Sequence, residues 1–262
     1  MKLELISRHP PESPRPAPLL FIHGMMHGAW CWEVHFLDYF ARHGFTAHAV
    51  NLRGHGNSEG RDRLRWTRIA DYVEDVASAV GQLPGPPVLI GHSLGGFVIQ
   101  KYLETHDAPG AVLLSSPPPV GLGRTVFRIA RRSPLVFARV NLTFSLLPMI
   151  ATPQLAREAF LSADLPDETL RVYWQRMEEE SYRALVDMVA LDLPKPVKVK
   201  TPLLILGAAR DNMLEPAEIE ETARAYHTRC EIIPDVAHDS MIELRWQRVA
   251  DRILAWLGER GL

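Results

Sequence analysis

The sequence has few of the features that mark secreted or nucleic-acid-binding proteins. Only two of its 262 residues are cysteine, Cys31 and Cys230, and they form neither a C-x-x-C pair nor a disulfide framework. We therefore expect two reduced thiols. Lys plus Arg number 29 against 31 for Asp plus Glu, so no excess of positive charge favours a nucleic acid as partner.

Long hydrophobic runs are also missing. The first residues, 1–7, are too short and too charged to be the apolar core of a signal peptide. No later run reaches the roughly 20 apolar residues of a membrane span. We therefore expect a cytoplasmic protein without stable membrane insertion.

What the chain does contain is a regular alternation of short apolar runs and longer helical patterns. This order predicts βαβ units around a mainly parallel sheet with helices on both faces, an α/β fold. The predicted strands are residues 3–7, 19–23, 46–50, 88–90, 111–115, 203–206 and 229–233. The predicted helices are residues 32–43, 69–83, 97–106, 216–226 and 245–258.

The alternation stops between residues 117 and 200, where helical patterns replace strands and prolines mark both ends. We predict a helical cap, residues 117–200, inserted into a core of residues 1–116 and 201–262. Aromatic residues of the cap are expected to line an acyl pocket: Phe127, Phe137 and Phe144. Exposed apolar residues of the cap leave open a homodimer formed through it.

The first part of the cap is basic. Five arginines occur between residues 117 and 150, where no acidic residue is found: Arg124, Arg128, Arg131, Arg132 and Arg139. Two interpretations remain open. In the first, the arginines form a basic rim that attracts anionic or lipid-headgroup substrates, or a membrane surface. In the second, they form a solvated helix face paired with acidic residues of the second part, such as Glu178 to Glu180.

The most informative motif is Gly91-His92-Ser93-Leu94-Gly95-Gly96, which follows the apolar run 87–90 and precedes a helical pattern. A serine on a sharp strand-to-helix turn needs small residues two positions to either side, because the strand and helix close around it. Gly91 and Gly95 occupy those positions. Ser93 is therefore the candidate nucleophile.

A serine hydroxyl needs a base, and that base needs a carboxylate. His238 lies in a polar loop after the last predicted strand, at the carboxyl edge of the sheet where ligands of α/β proteins gather. Asp211 follows an earlier strand, and the order Ser, Asp, His is the one that α/β-hydrolases use. Asp235 and Asp239 are rival carboxylates. His92 is expected to pack or to form hydrogen bonds.

The loop after the strand at residues 19–23 turns on Gly24 and is suited to binding an oxyanion. Its predicted donors are the backbone amides of Met25 and of Leu94, the residue after the nucleophile. His23, Gly24 and Met26 are expected to border the substrate. His23 and His27 are four residues apart, but a glycine-containing loop does not give two metal ligands a fixed geometry, so we predict no metal.

Together these motifs resemble the α/β-hydrolase superfamily, in its branch of capped esterases, lysophospholipases and monoacylglycerol lipases. The turn at residues 51–58 also matches the R-G-x-G-x-S pattern of that family, although Asn51 stands where aspartate is frequent. The resemblance implies an α/β-hydrolase fold with a mostly parallel sheet of about eight strands, a cap over the site, and no metal or organic cofactor.

The resemblance and the triad residues favour a serine hydrolase that cleaves carboxylic esters through an acyl-enzyme. Its expected substrates are small to medium acyl esters or monoacyl lipids. The same residues also serve hydrolysis of thioesters, lactones, amides and carbon-carbon bonds, and cofactor-free perhydrolysis. A receptor-like module with slow turnover is a further alternative. Substrate choice lies in the cap, where no motif is recognisable.

Overall fold

A computed structural model describes residues 1–12 and 14–262. Within them, seven strands form one sheet in the order β1-β3-β2-β4-β5-β6-β7. Strand β1 pairs with β3 in antiparallel fashion, and the other neighbours are parallel. The strands are Leu5–Arg8 (β1), Leu19–Ile22 (β2), Ala47–Val50 (β3), Val88–His92 (β4), Ala111–Leu114 (β5), Leu203–Ala208 (β6) and Cys230–Ile233 (β7).

Every predicted strand segment overlaps an observed strand, and the α/β-hydrolase fold class is confirmed. The resemblance implied about eight strands, and the described residues contain seven, one for each strand that the apolar runs predict. The central strands β2 and β5 are buried along their whole length, as expected when helices cover both faces of a parallel sheet.

The helices are Trp30–Glu33 (α1), Phe36–Arg42 (α2), Ile69–Val80 (α3), Leu94–Tyr102 (α4), Gly123–Arg132 (α5), Pro134–Thr143 (α6), Pro153–Phe160 (α7), Asp167–Trp174 (α8), Tyr182–Val186 (α9), Pro216–Ala225 (α10) and Trp246–Glu259 (α11). Short 3₁₀ segments occur at Arg61–Trp66, Leu147–Ile150 and Pro196–Lys198, and a π-helical turn at Asp187–Leu191. The predicted helix at 32–43 is two helices, because His35 leaves the helical conformation with φ −143°.

Helices α5 to α9 all lie between β5 and β6. The division of the chain into a cap of residues 117–200 and a core stays a prediction, and we call residues 117–200 the cap segment. This segment is joined to the core by buried polar contacts. Glu180 lies 3.3 Å from His55 Nε2 and accepts a hydrogen bond from the Tyr72 hydroxyl at 2.6 Å. The Ser181 hydroxyl donates to the Thr67 carbonyl at 2.6 Å.

A membrane-spanning helix and a disulfide are both absent from the described part of the chain. No helix there is both long enough and apolar enough to span a bilayer. The two cysteines are unpaired, Cys31 in the core and Cys230 half-buried on β7.

Candidate active site

Ser93 stands between the end of β4 and the first residue of α4, in a backbone conformation with φ 49° and ψ −117°. A positive φ is strained for a residue with a side chain and is typical of functional turns. The turn closes tightly around it. A Cβ atom on Gly91 would lie 2.6 Å from the backbone of Gly95, and one on Gly95 would collide with the carbonyl oxygen of Ile22. Both glycines are thus required by the close approach of strand and helix.

His238 and Asp211 meet although 27 residues separate them. The His238 Nδ1 group donates a hydrogen bond of 2.8 Å to Asp211 Oδ2. Asp211 is itself held, because its Oδ1 accepts from the backbone amides of Met213 and Leu214 at 2.8 and 2.9 Å. This arrangement leaves His238 Nε2 as the ring nitrogen available for proton transfer.

The charge state of His238 follows from two opposing effects. Burial disfavours the imidazolium, but the Asp211 carboxylate, by its charge and its hydrogen bond, raises the pKa of His238 above the ordinary value for histidine. Asp239 acts in the same direction. A histidine in such surroundings accepts a proton readily, which is the property required of a general base.

Ser93 and His238 line the same cavity. No hydrogen bond joins the Ser93 hydroxyl to His238 within the described residues. Catalytic hydrogen bonds are frequently long before substrate binds. The structure therefore brings the three predicted triad residues to one site, with the bond from His238 to Asp211 already formed.

Two backbone amides lie beside this site. Leu94 is the first residue of α4 and Met25 follows Gly24 in the β2–α1 loop, residues 23–29. Among the described residues, neither amide donates a hydrogen bond to the chain, so both remain available to an anion. Gly24 allows this loop to approach the elbow, because a Cβ atom there would lie 2.6 Å from His92 Nδ1 and 3.1 Å from Ser93 Cβ.

The cavity in front of Ser93 is largely apolar and has a volume of about 240 Å³. Helices α5 and α6 supply one wall through residues Val126, Ile129, Val136, Phe137 and Val140, and Met25 and Met26 stand near the serine. Further apolar residues come from the rest of the cap segment and the β6–α10 loop: Leu122, Leu146, Met149, Phe160, Leu185, Val186, Met188, Val189, Met213 and Leu214. Such a wall suits an uncharged hydrocarbon group.

The sequence model of the alpha/beta hydrolase family matches residues 19–252. The chain belongs to this family. A monoacylglycerol lipase of Mycolicibacterium smegmatis is 23% identical to it, over 95% of this chain and 90% of that protein.

Solved structures agree with the fold. A monoacylglycerol lipase of Paleococcus ferrophilus superposes with a TM-score of 0.72 at 18% identity, over 99% of this hydrolase and 100% of that chain. A thermophilic esterase of Thermogutta terrifontis superposes with a TM-score of 0.70 at 21% identity, over 98% of this hydrolase and 93% of that chain. At these identities the likeness concerns the fold.

Four residues expected at the substrate lie elsewhere. His23 is fully buried behind the loop, where Nδ1 donates to the Gly24 carbonyl and Nε2 accepts from the Leu52 amide. Gly24 supports the loop and, like His23, is not among the described residues that line the cavity. Phe127 and Phe144 are 65% and 45% exposed, and Phe144 packs against Trp66 and Tyr182 outside the cavity. Phe137 and Met26 do lie on the cavity wall.

The five arginines between residues 117 and 150 fall into two groups. Arg124 pairs with Glu221 at 3.1 Å, and Arg128 pairs with Glu218 at 2.7 Å. Both acidic residues are on α10 of the core, not in the acidic part of the cap segment. The other three are exposed: Arg131 and Arg132 at the end of α5, and Arg139 on α6. The pairing of Arg124 and Arg128 favours the interpretation of a solvated helix face for these two residues.

The nearest approach to a metal site within the described residues is the group His92, His238 and Asp239, whose donor atoms lie within 4.8 Å of one another. His92 Nε2 already donates to the backbone carbonyl of His238 at 3.0 Å, and His238 Nδ1 is bound to Asp211. The group therefore fits a hydrogen-bonded support of the site better than a metal centre.

Sequence reasoning missed one part of this hydrolase's site. His27 and Asp239 form a buried ion pair directly beside the His238 loop, with 3.0 Å between His27 Nε2 and Asp239 Oδ2. Asp239 was considered only as a rival of Asp211. The two residues lie at opposite ends of the chain, and no periodicity or motif relates them.

Proposed function

We propose that this hydrolase cleaves carboxylic esters with an apolar acyl group, using Ser93 as nucleophile, His238 as general base and Asp211 as the carboxylate that orients it. One observation carries the proposal. Ser93, held on a strained elbow, shares an apolar cavity with a histidine whose other ring nitrogen is bound to a buried carboxylate at 2.8 Å.

In the first step, Ser93 Oγ attacks the ester carbonyl carbon while His238 Nε2 takes the hydroxyl proton. Asp211 accepts the hydrogen bond from Nδ1, keeps the imidazole in the correct tautomer and stabilises the imidazolium that forms. The elevated pKa of His238 follows from the same carboxylate acting against burial.

The carbonyl oxygen becomes an oxyanion in the tetrahedral intermediate. The amides of Met25 and Leu94 would donate hydrogen bonds to it, and the N-terminus of α4 adds its dipole. When the intermediate collapses, the bond to the alcohol oxygen breaks and His238 returns its proton to the leaving alcohol. The acyl group remains on Ser93.

The second step reverses these roles. Water enters, His238 Nε2 takes its proton, and the resulting hydroxide attacks the acyl carbon. Collapse of the second intermediate breaks the bond to Ser93 Oγ, which regains its proton from His238. The products are a carboxylic acid and an alcohol, and no cofactor enters the reaction.

The cavity indicates the kind of acyl group. Its volume of about 240 Å³ is slightly below the roughly 300–1,000 Å³ of sites that hold drug-sized ligands. Its walls offer hydrocarbon contact and few hydrogen bonds, so a medium-length alkyl chain fits better than a charged or sugar-like group. The monoacylglycerol lipases and the esterase to which the chain is similar are consistent with such substrates.

The test is hydrolysis of p-nitrophenyl esters from acetate to palmitate by the wild type, Ser93→Ala and a matched control, Ser115→Ala. Ser115 is also a buried serine with a positive φ, 43°, but it does not line the cavity among the described residues. We expect turnover with an optimum at medium chain length, abolished in Ser93→Ala and retained in Ser115→Ala. Full activity of Ser93→Ala would refute the mechanism. If the wild type cleaves lactones or thioesters but no ester, the assignment of an ester substrate is wrong, whereas the assignment of Ser93 as nucleophile stands.

A further inference from the structure

A buried ion pair of His27 and Asp239 lies beside the triad. Both side chains are almost completely buried, with 1% and 0% of their surface exposed. Within the described residues, the His27 ring, with Nε2 3.0 Å from Oδ2, is the one donor close enough to compensate the charge of the Asp239 carboxylate. Burying a carboxylate is costly unless a cation accompanies it, so His27 is the group that makes this position tolerable.

The surroundings define the protonation state of His27. Its Nδ1 lies 2.7 Å from the Met25 carbonyl oxygen, which only accepts hydrogen bonds. Its Nε2 lies 3.0 Å from Asp239 Oδ2. At either position, an unprotonated nitrogen would place its lone pair against an oxygen lone pair in a buried site. Both ring nitrogens therefore carry protons. Burial lowers the pKa of His27, but Asp239 overcomes this and leaves it above the ordinary value.

The pair joins two segments that the proposed reaction requires in register. His27 belongs to the β2–α1 loop and binds the carbonyl of Met25, whose amide is a proposed oxyanion donor. Asp239 directly follows His238. The elbow also contacts the loop of His238 and Asp239, because His92 Nε2 donates to the His238 carbonyl at 3.0 Å and lies 3.7 Å from Asp239 Oδ1.

We propose that His27 and Asp239 are positioning residues, whose buried ion pair holds the Met25 amide and the His238 imidazole in register around the tetrahedral intermediate. The proposal rests on the function proposed above. Asp239 borders the cavity, but neither side chain of the pair forms a hydrogen bond with Ser93 or with the His238 ring among the described residues. The pair acts through the two loops, and a site that must hold several groups to within a fraction of an ångström depends on such support.

A positioning role can be distinguished from a purely stabilising one, because an apolar pair of similar size often replaces a buried ion pair without loss of stability. We therefore expect the double variant His27→Leu/Asp239→Leu to fold with a melting temperature close to that of the wild type. Its kcat should nevertheless fall, by up to about 100-fold for a displacement near 1 Å. KM for a medium-chain ester should change little.

A conservative variant offers rescue. In Asp239→Asn the amide can donate to a neutral His27, which keeps Nδ1–H on the Met25 carbonyl, so most of the activity should remain. Asp239→Ala and His27→Ala should each lose kcat, and combining them should cost little more than either alone, because both remove the same contact. Asp235→Asn is the matched control, since Asp235 lies in the same loop but is exposed and pairs with Arg210.

The decisive readout is inhibition by an alkyl boronic acid, which forms a tetrahedral adduct on the serine, compared with inhibition by the product carboxylic acid. We expect Ki for the boronic acid to rise in Asp239→Ala by the factor by which kcat/KM falls, while Ki for the product acid stays unchanged. An unchanged boronic acid Ki and kcat would overturn the proposal. A loss in Asp239→Asn as severe as in Asp211→Asn would instead make Asp239 the carboxylate that serves His238.

Two further measurements separate this proposal from the proposed function. Ser93→Ala, assayed in parallel, reports on the nucleophile alone, whatever happens at His27. Nitrogen-15 NMR of the His27 ring at neutral pH does not depend on turnover. Two protonated ring nitrogens are expected, and a singly protonated ring would overturn the ion pair even if the ester assay succeeds.

Discussion

Asp211 Oδ2 accepts a hydrogen bond of 2.8 Å from His238 Nδ1, and the amides of Met213 and Leu214 hold the other oxygen of the same carboxylate. The carboxylate therefore has one orientation, and so does the imidazole. Asp211→Asn should keep the fold but favour the wrong imidazole tautomer, lowering kcat by as much as about 10⁴-fold. Steady-state kinetics on a medium-chain ester measures this, with the exposed Asp235→Asn as control. An unchanged rate would remove Asp211 from the mechanism.

The pH dependence follows from the same pair. A general base works in its neutral form, so kcat/KM should fall as the pH drops through the pKa of His238. Burial lowers that pKa, but Asp211 raises it above the ordinary value of 6.5, so the acidic limb should lie above that value. In Asp211→Asn the charge is gone and the limb should move to lower pH. A limb that does not move would show that another group titrates.

The size of the cavity should govern chain-length preference. Val140 lines the cavity from α6, whereas Leu142 on the same helix is 80% exposed. Val140→Phe should fill part of the cavity and move the optimum toward shorter esters, raising KM for long ones and sparing the acetate. Leu142→Phe adds a phenyl group on the outer surface and should change neither the chain-length optimum nor KM for long esters. Equal effects of both substitutions would mean that the acyl chain binds elsewhere.

The contact of Glu180 with the core should stabilise the cap segment. Glu180 is fully buried between His55 and the Tyr72 hydroxyl. Removing one partner of a buried ion pair typically costs about 3–5 kcal/mol, so Glu180→Ala should lower the melting temperature by many degrees. The exposed Glu168→Ala should change it little.

The pH profile of stability tests whether this pair is ionic. Burial opposes the charge of both groups, but each overcomes that effect through its partner, so the pKa of His55 is raised and that of Glu180 is lowered. The contribution of His55 is present below pH 6.5 and disappears as the pH rises through its folded pKa. That of Glu180 is present above 4.5 and disappears as the pH falls through its folded pKa. Stability should therefore be greatest between these two limits, and thermal melts of Glu180→Gln should show a smaller maximum there, since the His27–Asp239 pair titrates in the same direction and remains. A variant profile with the same maximum as the wild type would contradict an ionic pair of His55 and Glu180.

Much of the fold was predictable because its signals are local. Strands β2, β5 and β6 are continuous apolar runs, and the elbow from Gly91 to Gly95 indicates a strand-to-helix turn within five residues. Asp211 and His238 were identified by their position after strands, which in a parallel sheet end at one edge. The structure brings these residues together as the sequence indicated.

The predictions of cavity-lining residues failed where neighbouring side chains point in opposite directions. Val126 faces the cavity and Phe127 faces solvent on the same turn of α5, and an apolar pattern alone does not distinguish an inner face from an outer one. Phe144 was misplaced for a different reason. It ends α6 with φ 51°, and after this left-handed turn its ring packs against Trp66 and Tyr182 and not on the cavity wall. Nothing in the local sequence announces that conformation.

Pairs distant in the chain were not predictable at all. The contacts of His27 with Asp239 and of His55 with Glu180 join segments more than a hundred residues apart, across the core or between core and cap segment. Each is a buried charge that only the folded arrangement explains. His55 belongs to the turn at residues 51–58 and Glu180 to the acidic run at 178–180, but no motif in the sequence indicates the partner of either residue, or that His27 and Asp239 pair.

The most direct test of the central claim is rapid-quench mass spectrometry of the acyl-enzyme. The hydrolase is mixed with a medium-chain p-nitrophenyl ester, quenched in acid within the first turnover, and digested. We predict one acyl adduct on the peptide that contains Ser93, absent from Ser93→Ala and present in Ser115→Ala. An adduct on another residue, or ester hydrolysis without any adduct at Ser93, would contradict it.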